Sequence, residues 1–287
     1  MPDTYAAVYL SPHLDDAALS CGAQIYDRTQ AGERVLIVTV MAGSPPQREG
    51  ANPAAASAYI ADLHARWQLA GDAAAERRAE DAAACAVLGA DYLHLPVPDC
   101  IYRLHPQEGA PLYTSDADIF GDIHPAEEAA LAEAIADLLR DLPPAGQVVA
   151  PLGVGHHVDH LLLRAAAERV WPAQREDPRN RVSAGNSVSA GNSVSGPLSY
   201  YEDYPYAEQA SAVTRALGDD LRAWRPEVQE VTAAGLAAKC DAVWAYRSQM
   251  STFFADRRAM EARIRGYAEQ VGGERVWVNV ELQDRTG

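Results

Sequence analysis

The amino-acid sequence predicts an α/β fold: a Rossmann-like, mostly parallel sheet sandwiched by helices, in a single domain. Three observations carry that prediction. Short apolar, β-branched runs alternate with segments of helical period, the order expected when parallel strands are joined by crossover helices. The chain's 287 residues, 48% of them hydrophobic, are enough to bury a sizeable core. Two polar clusters rich in histidine and aspartate stand directly after two of the apolar runs, where the ligand sites of such sheets lie.

Taken in order, residues 6–11 form a buried strand that stops at Pro12. Residues 15–29 have helical spacing, with Ala18, Leu19, Ala23 and Tyr26 able to share a face. Residues 34–41 (RVLIVTVM) make a second strand, and residues 73–88 an alanine-rich helix closed by Gly89. A third strand is expected over 92–97, a helix over 127–142, and a fourth strand over 147–151 (QVVAP) feeding a helix near 160–169. One domain spanning 1–287 accommodates all of these. Residues 183–195 (SAGNSVSAGNSVS) repeat Ser-Ala-Gly-Asn-Ser-Val in tandem, a composition that favours turns and solvated chain and predicts a flexible surface insertion.

Charge and cysteine usage narrow the function classes. With 40 acidic against 24 basic side chains the net charge is −16, which repels phosphate backbones and anionic lipid, so neither nucleic acid nor a membrane surface is an expected partner. The charge does not prevent a homo-oligomer formed through an apolar patch. The amino terminus lacks the basic and long apolar stretches of a secretory signal, and the longest apolar runs are strand-sized. Four scattered cysteines without a Cys-x-x-Cys pair suit a reduced, cytoplasmic protein whose thiols are packing groups and not zinc ligands.

The first cluster is Ser11-Pro12-His13-Leu14-Asp15-Asp16-Ala17. An aspartate at a helix start is commonly a cap. That explains one carboxylate, but not two beside a histidine three residues before the second. His13 and Asp16 bracket a turn that would aim both inward as metal ligands, with Asp15 near the metal and not on it. The second cluster, Gly153-Val154-Gly155-His156-His157-Val158-Asp159-His160, holds three of the chain's eight histidines and follows the fourth strand. His157 and His160, at i and i+3 of a helix, would face one way. A histidine and an aspartate from the first cluster and a histidine from the second make a three-ligand site with a position open for water, the mark of a catalytic zinc.

These motifs resemble those of the PIG-L/LmbE family of zinc-dependent N-deacetylases, which act on N-acetylglucosaminyl groups and related amides. Pro12-His13-Leu14-Asp15-Asp16 matches the family's Pro/Ala-His-Pro-Asp-Asp, and His157-Val158-Asp159-His160 its His-x-Asp-His. Looser agreement covers Arg77-x-x-Glu80, Leu88-Gly89, Pro98-Asp99, Tyr201 to Tyr206, and Tyr246-Arg247-Ser248-Gln249. The resemblance implies His13, Asp16 and His160 as zinc ligands and Asp15 as the base that deprotonates the attacking water. It implies His157 as the group that stabilises the oxyanion or protonates the amine, oriented by Asp159. Arg77 and Asp99 match positions that grip sugar hydroxyls. Two departures stand out: leucine at position 14 for the usual proline, and Gly155 where some members carry a tyrosine that reaches the oxyanion.

Elementary chemistry agrees with that division of labour. Zinc lowers the pKa of a bound water to about 7 and polarises a carbonyl, a neighbouring carboxylate takes the proton, and a histidine fixed by an aspartate keeps one tautomer. The donor set would also suit iron, cobalt or another divalent ion. Asp99 and Arg103, just after the third strand, are expected at the pocket mouth as substrate contacts, with a surface ion pair as the plainer alternative. The tyrosines within 199–206 would either stack on a sugar or pack the base of the insertion. Trp244, Tyr246, Phe253 and Phe254 are expected in the core.

The expected activity is therefore removal of acetyl from a small N-acetylated amino sugar or its conjugate. The alternative is an amidase that cleaves a larger acyl or thiol-conjugate amide at the same metal. A non-catalytic binding protein is disfavoured because no ligand or base is missing. A nucleotide-binding oxidoreductase is disfavoured because the first strand–helix junction lacks a glycine-rich phosphate loop.

Overall fold

The computed structural model describes residues 4–45, 58–67, 73–171 and 196–280. The tandem repeat at 183–195, expected to be a flexible insertion, lies outside the described residues. The chain runs β1 (Ala7–Ser11), α1 (Asp16–Gln30), β2 (Val35–Thr39), α2 (Ala58–Trp67), α3 (Ala73–Leu88), β3 (Asp91–His94), α4 (Asp116–Ile119), α5 (Glu128–Arg140), β4 (Val148–Pro151) and α6 (Val158–Val170). It continues with β5 (Leu198–Tyr201), α7 (Ala210–Leu217), β6 (Trp224–Gln229), α8 (Ala233–Ala245), α9 (Arg247–Phe253), α10 (Arg257–Val271) and β7 (Glu274–Asn279).

The seven strands form one sheet in the order β3-β2-β1-β4-β5-β7-β6. β3 through β5 in that order are parallel, while β7 runs antiparallel to β5 and β6 antiparallel to β7. This is the expected mostly parallel sheet with helices on both faces. Strand alternation makes the two faces: Val8, Leu10, Leu36, Val38, Val148 and Ala150 join the core under α5 and α6. Ala7, Tyr9, Val35, Ile37 and Val149 point the other way, into the core shared with α1, α3 and α8. Burial on both faces is why these strands read as continuous apolar runs.

The third strand is shorter than its apolar run suggests. It ends at His94, because Pro96 and Pro98 offer no N–H to a ladder and turn the chain away toward Asp99. The consequential feature is the reversal of strand order at β1 and β4. From β1 the chain winds outward to β2 and β3, and from β4 in the opposite direction to β5. The loops after two such strands diverge and leave a crevice at their carboxyl ends. Both polar clusters lie there.

Candidate metal-dependent active site

The loop after β1 is drawn into a tight turn. Ser11 Oγ donates to the His13 carbonyl at 2.6 Å and accepts from the Ala17 N–H at 3.0 Å, so the serine serves a free N–H at the start of α1. Asp15, at the N-cap position, makes no capping hydrogen bond. The cap explanation for the paired aspartates therefore fails at the carboxylate that matters most. Asp15 is 5% exposed and lines the cleft, and among the described residues its carboxylate accepts no hydrogen bond. Burial and the neighbouring Asp16 push its pKa up from 3.8 to about 7, against the pull of Arg77 and His13.

After β4 the chain passes through three left-handed residues, Gly153, Gly155 and His156, the last a non-glycine at φ 65. His156 turns outward, its Nδ1 3.0 Å from the Gly121 carbonyl. His157 is not on a helix turn with His160, as i, i+3 spacing suggested, but is the N-cap of α6. Its Nδ1 accepts the Asp159 N–H at 3.2 Å, so in the neutral ring Nε2 carries the hydrogen and faces the cleft as a donor. Burial, with His13 and His160 beside it, holds its pKa well below the usual range.

His13, Asp16 and His160 converge from the two loops. His13 Nδ1 lies 3.3 Å from Asp16 Oδ2, and His160 Nε2 lies 3.4 Å from the same oxygen. Ligand atoms around a tetrahedral zinc with bonds of roughly 2.0–2.1 Å stand about 3.3–3.4 Å apart. The outer nitrogen of each histidine is already bonded: His160 Nδ1 donates to Asp203 Oδ1 at 2.6 Å, and His13 Nε2 to Asp159 Oδ2 at 2.9 Å. That fixes both rings with the other nitrogen turned to the common centre. Although burial opposes it, the His160 and His13 rings hold Asp16 ionised, well below the usual carboxylate range. Five buried aspartates (Asp15, Asp16, Asp99, Asp159, Asp203) surround this centre against two buried arginines, Arg77 and Arg103. The excess of negative charge suits a divalent cation, and the residues fit one.

His13, His157 and His160 also bring one ligand atom each to within 4.8 Å of one another, so His157 stands at the same centre, while two other metal-capable groupings fit less well. Cys100, His157 and Asp159 come within 4.8 Å of one another, as do His13, Asp99 and Asp159. Both need Asp159, whose oxygens are held by His13, the Cys100 N–H and Arg103. Burial also raises the Cys100 thiol pKa far above its usual value, so it stays protonated.

Two expected roles change. Asp159 was expected to orient His157; its side chain grips His13 instead, and only its backbone N–H reaches the His157 ring. Arg103 was expected to contact substrate at the pocket mouth. It is 6% exposed, forked onto Glu127 at 2.9 and 3.0 Å, and paired with Asp159 at 2.6 Å. With its donors committed, it positions Asp159, and through it His13. Arg103→Ala would leave two buried carboxylates short of a partner, so it should cost about 3–5 kcal/mol of stability. Chemical denaturation checks this, and an unchanged midpoint with a raised KM would restore the substrate contact.

Arg77 and Asp99 do line the cleft, which measures about 270 Å³. The Arg77 guanidinium sits 5.1 Å from the Trp67 ring centre, its Nη1 is 3.5 Å from Asp99 Oδ2, and its buried Nε has no hydrogen-bond partner among the described residues. Sequence reasoning missed the apolar part of the lining, made by Leu63, Trp67, Ile101, Ile119, Phe120 and Phe253. Tyr246 and Phe254 are core as expected, whereas Phe253 faces the cleft. Asp203 was also missed as a support for His160, although it follows β5 and the rule that sites lie at strand carboxyl ends points to it.

Fold and site together define a protein of the α/β class with a buried histidine–aspartate cluster that could hold a metal ion, at the switch point of a doubly wound sheet. The sequence pattern of the PIG-L family, described as GlcNAc-PI de-N-acetylase, matches residues 8–171, more than half of the chain, and the chain belongs to that family. Among solved structures, the zinc-inhibited form of teicoplanin deacetylase Orf2 is similar, with TM-score 0.72 and 28% identity over 96% of this chain and 97% of that one. The A40926 pseudoaglycone deacetylase Dbv21 is similar at TM-score 0.63 and 27% identity, with 96% and 97% covered. A 2'-N-acetylparomamine deacetylase of Niallia circulans is 33% identical over 125 residues, 42% of this chain and 45% of that relative, so the match spans less than half of the relative's length. Among the described residues, no helix is long and apolar enough to cross a membrane.

Proposed function

We propose that the protein is a metal-dependent hydrolase that removes the acetyl group from an N-acetylated amino sugar or its conjugate. The observation that carries this reading is the unbonded, buried carboxylate of Asp15 beside the convergent His13–Asp16–His160 set. A structural carboxylate at that depth would be paired; this one is kept available. Similarity to a teicoplanin deacetylase, an A40926 pseudoaglycone deacetylase and a 2'-N-acetylparomamine deacetylase supports a deacetylation of the same kind.

His13, Asp16 and His160 would hold a divalent cation, most naturally zinc, which supplies Lewis acidity toward the amide carbonyl and acidifies water. Asp15 takes the proton from the attacking water as the new C–O bond forms. His157 donates from Nε2 to the carbonyl oxygen as negative charge develops there. When the C–N bond breaks, the proton held on Asp15 passes to the departing nitrogen, so amide and water become amine and acetate in balance. Asp203 and Asp159 hold the two histidine rings in register. Arg77 and Asp99 grip sugar hydroxyls, and the apolar lining from Leu63 to Phe253 accommodates a hydrophobic portion of a conjugate.

The test is primary-amine release by the zinc-loaded protein from a panel of N-acetylated sugars and apolar glycosides of them. Release of amine with equimolar acetate is expected. No release from any member, at stoichiometric zinc, would overturn the deacetylase reading and favour cleavage of a larger acyl amide.

A further inference from the structure

Gly155, two residues before His157, has φ 93, and a Cβ there would lie 2.6 Å from the ring of Tyr206. The glycine thus leaves the space that Tyr206 fills. Tyr206 arrives from the segment beyond β5, at the start of a short 3₁₀ turn. Its ring centre is 6.5 Å from that of His160 and 5.8 Å from that of Phe120, which in turn packs 5.3 Å from His157. Tyr206 therefore lines the cleft on the same wall as His157 and His160.

The hydroxyls of nearby tyrosines are committed: Tyr200 donates to Glu168, Tyr201 to the Leu10 carbonyl and Tyr204 to Glu208. Among the described residues, the Tyr206 hydroxyl makes no hydrogen bond. Tyr206 is partly buried, and a partly buried tyrosine normally keeps a partner for its O–H, from the protein or from what fills the cleft. One left without, on the wall of a cleft beside the reaction centre, marks where a ligand supplies the acceptor.

We propose that the Tyr206 hydroxyl donates a hydrogen bond to the substrate's carbonyl oxygen in the transition state, alongside His157 Nε2, and that Gly155 is what admits it. This rests on the amide-hydrolase reading above. Two donors from different loops, one an imidazole on β4's loop and one a phenol beyond β5, would share the charge that develops as the carbonyl carbon becomes tetrahedral. Because that charge is small in the bound amide, the phenol acts mainly on kcat.

Tyr206→Phe keeps the ring against Gly155 and removes only the donor. Expected are a fall in kcat of about 10²-fold or more with KM changed less than about threefold, and unaltered zinc stoichiometry. Affinity for methylphosphonate, a tetrahedral oxyanion read by calorimetry without turnover, should drop about tenfold. Gly155→Ala, which pushes the ring aside, should reproduce both losses. Wild-type kcat and wild-type phosphonate affinity in Tyr206→Phe would overturn the proposal, as would a raised KM at unchanged kcat. If the wild type cleaved no amide at all, the hydrolase reading would fall, and the phosphonate comparison would still decide whether Tyr206 donates to an oxyanion.

Discussion

Zinc-loaded Asp15→Asn protein should bind its metal like the wild type and lose about 10²–10⁴-fold in kcat. The size follows from what Asp15 does not do. Its carboxylate caps no helix, accepts no hydrogen bond among the described residues and is not one of the convergent donors. Replacing it with the isosteric amide removes a proton acceptor and little else. The same logic gives an unusual stability prediction. Burial raises the Asp15 pKa from 3.8 to about 7, so its ionised form is disfavoured by the fold. Such a group's contribution is complete below the unfolded value and is lost as pH rises through the folded one. Metal-free Asp15→Asn should therefore melt higher than metal-free wild type at pH 8, with the difference shrinking as pH falls toward 4. Steady-state kinetics and a metal-specific dye check the first part, and calorimetry of the stripped proteins the second. Full turnover by the variant would remove Asp15 as the base.

What the sequence made legible follows the range of the forces involved. β1, β2, β4 and the helices α1, α3, α5 and α6 are visible because each buries a continuous run or a periodic stripe, a property of neighbours along the chain. The His13–Asp16 and His157–His160 segments are visible for the same reason: the residues proposed as ligands and base are packed into two short motifs at strand ends. The supports are not. Arg103 looked like a pocket residue because nothing local reveals Glu127 or Asp159, 24 and 56 positions away, taking up its donors. Asp203 reaches His160 across 43 positions, and Tyr206 fills the gap beside Gly155 from a separate strand end. Edge strand β6 alternates exposed and partly buried residues around Pro226, too weak a pattern to announce itself. Local pattern thus exposes the groups proposed to react, while the groups that hold them in place come from folding.

That dependence sets the second large effect. His160→Ala should abolish stoichiometric zinc binding, because in the proposed donor set His160 supplies the one that bridges the second loop to the first. Asp203→Asn should do less, weakening zinc by about 10–100-fold, since it leaves the imidazole in place but loosens its tautomer and aim. The order His160→Ala worse than Asp203→Asn worse than wild type is the content of the prediction, and a competitive chelator titration measures it. Circular dichroism guards against a trivial cause, because removing His160 also leaves buried Asp203 with the Val154 N–H as its remaining partner. Undiminished zinc in folded His160→Ala would show that the donors lie elsewhere. Equal losses in the two variants would mean that the ring's orientation, and not its nitrogen alone, is what the metal requires, placing Asp203 on the same footing as a ligand.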